Sequence, residues 1–258
     1  EDFPIIDQDN SGTKINLNSK ILFKLIDKTK FAISNEETRY FLNGLYFNIS
    51  NENSKNVVTL VGTDGHRLAK FSHILETNID EISGVIIPKK TIYELTKLLS
   101  EIDDDVNILI SSNKIIFFIS NVILISKLID GSFPDYKRVI PKENSNILKI
   151  NRETLLSAVD RVSTIANEKS PVIKFKLLKN ILNLNTVNNE SSSASEDLNT
   201  NYDGNEIEIG FNSKYIMDIV NNLEDENITI NLKDNSSPII ALENSNSDLV
   251  YVLMPMRV

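Results

Sequence analysis

The sequence predicts an α+β protein built from two tandem copies of one domain, each with two helices packed on antiparallel sheet. Three observations lead there. A helix-then-strands pattern recurs after roughly 130 residues, a domain-sized period and not a solenoid one. At 258 residues the chain is long enough for two ordinary domains, each with its own core. Apolar residues make up 41 % and are broken often by charge, with no run near the ~20 residues of a membrane helix.

The first copy opens on Asn18 to Asp27. Asn18 is placed to cap a helix whose Ile21, Leu22, Leu25 and Ile26 recur at helical spacing. Asn151 to Asp160 repeats this in the second copy. The exits also match, Ile33-Ser34-Asn35-Glu36-Glu37 against Ile165-Ala166-Asn167-Glu168-Lys169. A strand meander follows: Leu45–Ile49, Val57–Val61 and Leu68–Phe71, with counterparts at Val172–Leu178, Ile181–Val187 and a polar stretch through Tyr202. Composition alone reads Asn188 to Asn205 as a loop, whereas the repeat argues for a polar strand around Glu196 to Tyr202. Next come a strand and a second helix: Val85–Pro88 into Ile92, Leu95, Leu98 and Leu99, and Ile207–Phe211 into Ile216, Ile219, Val220 and Leu223. Alternating strands close each copy, starting at Val106/Ile108/Ile110 and Ile228/Ile230/Leu232. Domains are expected at 1–128 and 146–258, joined by residues 129–145. Gly131, Pro134 and Pro141 make that span a linker, while its Phe, Tyr, Val and Ile predict that it is packed.

The formal net charge of −9 argues against tight gripping of DNA by phosphate neutralisation. No cysteine is present, so disulfides, thiolate metal sites and cysteine nucleophiles are excluded. That usage fits a cytoplasmic location. Glu1-Asp2-Phe3-Pro4 lacks the features of a signal peptide and reads as a chain cut at a domain boundary.

Thr63-Asp64-Gly65-His66-Arg67-Leu68 is the most chemistry-rich stretch. A hydrolase could use Asp64, His66 and Arg67, and His66 with His73 could suggest a metal. Asp-Gly between two strands is the simpler reading, as a hairpin turn of type I′. No nucleophile elbow, phosphate loop or paired-carboxylate signature accompanies it, so no catalytic residue, cofactor or metal is expected. The terminal Val252-Leu253-Met254-Pro255-Met256-Arg257-Val258 reads first as a core strand, and its methionines would also suit an adaptable apolar surface. Lys20, Lys24 and Lys28 fall at i, i+4 and i+8, a basic stripe opposite the apolar face of the first helix. Asp103-Asp104-Asp105 and Glu224-Asp225-Glu226 collect negative charge elsewhere, a polarised surface that fits a passing polyanion.

Together the motifs Arg39-Tyr40-Phe41-Leu42-Asn43-Gly44, Thr63 to Leu68, Lys127-Leu128-Ile129-Asp130-Gly131, Phe133-Pro134-Asp135-Tyr136, Asn167-Glu168-Lys169, Glu208-Ile209-Gly210-Phe211-Asn212 and Met254-Pro255-Met256-Arg257 carry a resemblance. In this order, over essentially the whole chain, they resemble the bacterial DNA polymerase III beta subunit family, the replication sliding clamps. The resemblance implies a non-catalytic, cytoplasmic accessory subunit of the polymerase holoenzyme that tethers enzymes to duplex DNA. It implies the second and third of the family's three domains. Two complete subunits would form a homodimer ring with helices lining the hole, and a chain without the first domain would be monomeric or weakly associating. Polymerases, clamp loader and repair proteins would dock short peptides in a cleft between these domains. By position that cleft takes Leu42, Thr63, Gly65, His66, Arg67, Leu68, Pro134, Arg138, Val139, Val252, Leu253, Met254, Pro255, Met256 and Arg257. This reverses the core-only reading of the terminus. Lys20, Lys24, Lys28, Arg39, Tyr40 and Lys90 would face DNA, contacting phosphates without reading bases. Val258 stands in place of a leucine, and Pro238 in place of the family's commoner serine. A peptide-binding adaptor that does not encircle DNA is the alternative.

Overall fold

The computed structural model describes residues 11–76, 79, 81–167, 171–188 and 192–257. The chain divides into two compact units, residues 1–62 with 72–133, and residues 63–71 with 134–258. The exit segment's Glu168 and Lys169, the N-terminal residues 1–10 and Val258 lie outside the described residues.

The repeat appears in the element order. In the first half the order is β1 (Thr13–Asn18), α1 (Ser19–Asp27), β2 (Gly44–Glu52), β3 (Lys55–Thr63), β4 (Arg67–Leu75), β5 (Ile82–Pro88), α2 (Lys89–Leu99), β6 (Asp105–Ile110), β7 (Lys114–Ile119) and β8 (Val122–Lys127). The second half repeats it: β9 (Asn146–Asn151), α3 (Arg152–Ser163), β10 (Val172–Leu178), β11 (Ile181–Asn188), β12 (Ser192–Asn199), β13 (Ile207–Asn212), α4 (Ser213–Asn222), β14 (Asn227–Leu232), β15 (Ile239–Glu243) and β16 (Leu249–Leu253). The strands β1 and β9, which precede the first helix of each half, are absent from the sequence reading. Their alternation was there to see: Ile15 and Leu17, then Leu148 and Ile150, all point inward.

In the first unit β1, β6, β7 and β8 form one antiparallel sheet, and β2 pairs with both β3 and β5. α1 packs on α2 and buries Leu22, Leu25 and Ile26. α2 contributes Ile92, Leu95 and Leu99. Phe133 stacks on Tyr46 with ring centres 4.9 Å apart, so the apolar start of the linker is packed.

In the second unit β12-β11-β10-β13 make one sheet, while Arg67–Phe71 of β4 pair with β16, followed by β15, β14 and β9. α3 packs on α4, and Phe175 meets Phe211 edge-on at 5.3 Å in the core. Tyr136 of the linker is buried here. The strand within the Asn/Ser-rich stretch starts earlier than the repeat suggested. Asn183 on β11 donates to Asp197 at 2.6 Å and to Ser195 at 2.9 Å across the pair, and Leu198 turns inward. Side-chain amides and hydroxyls thus bond one another where a composition reading expects only solvation.

Among the described residues, asparagine starts three of the four α-helices. Asn18, Asn151 and Asn212 are each the last residue of a strand, and each side chain accepts from a backbone N–H of the first turn. The acidic triplets are not segregated from the helices. Ser19 N–H donates to Asp104 O at 3.0 Å and Arg152 N–H to Glu226 O at 2.8 Å, which places both triplets at helix N-termini, where negative charge is stabilised.

Candidate peptide-binding and DNA-contact residues

The turn between β3 and β4 is organised by its own side chains. Asp64 Oδ1 accepts from His66 N–H at 2.9 Å and Arg67 N–H at 3.0 Å. Thr63 Oγ1 accepts from Gly65 N–H at 3.1 Å and donates to Arg67 O at 2.6 Å. Only Gly65 takes a positive φ, +87°, so this is a side-chain-bonded turn and not the expected type I′. Type I′ geometry sits one hairpin earlier, where Asn53 and Ser54 have φ of 52° and 64° between Glu52 and Lys55.

This turn, itself part of the second unit, aims Arg67 at α4. Its Nε donates to Asp64 Oδ2 at 3.1 Å, its other end pairs with Asp218, and its guanidinium lies 4.4 Å from the centre of the Tyr215 ring. His66 stacks on the same ring at 6.3 Å. With a side chain only 10 % exposed, Arg67 is fixed between two carboxylates over an aromatic face. Tyr215 and Asp218 were missing from the sequence reading. They sit at i and i+3 on α4, beside the apolar stripe of Ile216, Ile219 and Val220 that identified the helix, and no local motif marks them.

The terminal segment meets this cluster. Met254 N–H donates to His66 O at 2.9 Å, and Met256 N–H donates to Gly210 O at 2.8 Å, so the Met-Pro-Met run is pinned at both ends. Met254, Pro255 and Met256 are half-buried. Val252 and Leu253 are core, as the first reading of the terminus expects, and the three residues after them are only partly covered. Leu68 is also core in the second unit, and Leu42 is core in the first. Pro134, Arg138 and Arg257 are exposed, and Val139 is half-buried.

Beside Met254 opens a groove of about 770 Å³, walled by residues 137–144 and by Lys233, Ser237 and Pro238. Arg138, Val139 and Met254 are the expected residues found here. Asn144 Nδ2 donates to Asn231 O and Pro238 O, both at 2.9 Å, tying the walls together. Asp234, at the adjoining turn, accepts from Ser236 and Ser237 N–H and from their hydroxyls, which lowers its carboxyl to about 2.

The expected DNA-contact residues lie in the first unit. Lys20, Lys24 and Lys90 are exposed, and Tyr40 is 55 % exposed. Arg39 pairs with Glu36 at 2.7 Å. Lys28 departs from the stripe: the helix ends at Asp27, and Lys28, its C-cap, is only 5 % exposed. Lys20 is paired with Asp103 at 2.5 Å, so basic and acidic groups are in contact, not on opposed surfaces. Lys89 lies 5.7 Å from the Tyr93 ring on α2, a lysine and an aromatic that the sequence reading left out.

Among the described residues no group of His, Cys, Asp and Glu gathers as metal ligands, and no helix is long and apolar enough to cross a membrane.

Residues 16–135 match the family described as DNA polymerase III beta subunit, central domain, and residues 137–257 match its C-terminal domain. The Beta sliding clamp of Caulobacter vibrioides is 40 % identical over 257 residues, covering 100 % of this chain and 69 % of that protein. The Escherichia coli K12 Beta sliding clamp is 35 % identical over 256 residues, covering 99 % and 69 %. Among solved structures, a Bartonella birtlesii sliding clamp bound to griselimycin superposes with a TM-score of 0.96 at 44 % identity, covering 99 % of this chain and 69 % of that one. A Pseudomonas aeruginosa sliding clamp, also bound to griselimycin, gives 0.94 at 33 % identity over 99 % of this chain and 68 % of that one.

Proposed function

Because the chain belongs to the DNA polymerase III beta subunit family, the bacterial sliding clamps, we propose that it tethers replication and repair polymerases to duplex DNA through short peptides that dock beside Met254–Met256. The carrying observation is the fixed Arg67 between Asp64, Asp218 and Tyr215, with the half-buried Met-Pro-Met run hydrogen-bonded to the same turn. A preformed apolar surface next to a rigid donor binds a peptide at low ordering cost. Methionines there accommodate differing side chains from several partners. The site holds donors and apolar surface, and its role is to bind, without a chemical step.

Duplex DNA passes the exposed lysines of α1 and α2 without base readout, and retention comes from a closed ring of two complete subunits. Topological retention accommodates a net charge of −9, which would weaken a purely electrostatic grip.

The test is fluorescence anisotropy of a labelled polymerase C-terminal clamp-binding peptide titrated with this chain, its His66→Ala and Met254→Ala variants, and a chain lacking residues 254–258. The expected result is a micromolar Kd, about 8 kcal/mol, lost on the deletion and reversed by griselimycin. A folded chain that leaves the peptide free in solution would end this reading.

A further inference from the structure

The groove beside Met254 differs in charge from the chain around it. In a protein of net charge −9, its walls present Lys137, Arg138, Lys142 and Lys233 against one acid, Glu143. Two of the four cations already have anions: Arg138 bonds Asp135 at 2.8 Å and Lys233 bonds Glu143 at 2.9 Å. Asp234 does not serve the other two, because both its carboxylate oxygens are bonded within its own turn. Lys137 and Lys142 are exposed and make no ion pair among the described residues.

Between these cations lies an apolar floor of Val139, Ile140, Pro238 and Met254. A nucleic-acid backbone would satisfy the lysines but would leave that floor unused. A peptide combining apolar and acidic side chains satisfies both, and complementary charge discriminates among partners more than it adds raw affinity. Since Asn144 ties the walls together, the groove is formed before anything enters it.

We propose that Lys137 and Lys142 select peptides whose apolar anchor is flanked by acidic residues, so that this groove ranks the clamp's partners by the charge next to their binding motif. The proposal rests on the peptide-docking reading above and adds its specificity.

Four labelled peptides test it: the polymerase C-terminal clamp-binding peptide extended by Asp-Asp or by Asn-Asn, at either end. Each is titrated by anisotropy with the chain and with its Lys137→Gln/Lys142→Gln variant, whose fold is checked by circular dichroism. At one end the Asp-Asp peptide is expected to bind about five-fold tighter than its Asn-Asn twin at low salt. That preference is expected to vanish in the double variant and in high salt. Equal affinities at both ends, or a preference that survives the double substitution, would overturn the selection while leaving the docking site standing. Displacement of the acidic peptide by unlabelled duplex DNA would reassign the lysines to phosphate and also overturn it. Failure of all four peptides to bind the folded chain would overturn the docking reading and this one with it.

Discussion

The Arg67 guanidinium lies 4.4 Å from the centre of the Tyr215 ring while bonded to Asp64 on one side and Asp218 on the other. One side chain thus joins the β3–β4 turn to helix α4. Arg67→Ala would remove charge-assisted hydrogen bonds and a cation–π contact, and leave the two carboxylates facing each other. It is expected to lower unfolding free energy by about 2 kcal/mol, read by urea denaturation, and to weaken peptide binding more than Arg67→Lys does.

The three asparagine caps make a second prediction. Asn18→Ala, Asn151→Ala and Asn212→Ala should each cost about 1 kcal/mol, with Asp in place of Asn nearly neutral. Chemical unfolding of the three alanine variants and the matching Asp variants checks this. A loss shared equally by the Asp variants would mean that the side-chain oxygen is not what stabilises the first turn.

Gly44 tests close packing in the first unit. A Cβ at this position would stand 2.2 Å from the Ile87 carbonyl oxygen on the paired strand β5. Because the obstacle is backbone, the strands must separate, and Gly44→Ala is expected to destabilise by about 1–3 kcal/mol. A thermal midpoint equal to that of the parent chain would show that this pair yields more easily than its spacing implies.

Acid should loosen the turn at Asp234. Four hydrogen bonds from Ser236 and Ser237 lower its carboxyl to about 2, against ~3.9 when unfolded. The folded pKa is depressed, so the contribution is complete above the unfolded value and is lost as pH falls towards 2. Asp234→Asn should therefore show a shallower loss of stability than the parent chain between about pH 5 and pH 2. Parallel unfolding midpoints across that window would exclude the effect.

Much of the fold was legible because its signals are local and repeated. The 3.6-residue spacing of Leu22, Leu25 and Ile26 marks a helix, and the same pattern returns after Asn151. The strands β1 and β9 were missed because six-residue segments with two inward apolar side chains look like linker when read ahead of a strong helix. The candidate site was legible only in part. The Thr63–Leu68 turn and the terminal methionines are short runs and can be read directly. Tyr215, Asp218 and Lys233 join them only through folding across long sequence separations, and nothing adjacent in the chain flags them, while Lys142 sits in the linker that was read as packed without being singled out. Lys28 failed for the opposite reason: its spacing continues the lysine row, but the helix ends one residue before it.

The strands that lead into helices do so with no intervening residue. Asn18 is followed by α1, Pro88 by α2, Asn151 by α3 and Asn212 by α4. Such a joint has no slack. One residue inserted there would rotate the following helix by about 100°, turning its apolar stripe towards water and its charged side into the core. Length can vary in the β-turns, where extra residues loop into solvent, but the spacing across these four joints must stay constant. A domain that is copied in tandem and in each copy packs the apolar side of its helices inward is constrained at these joints first.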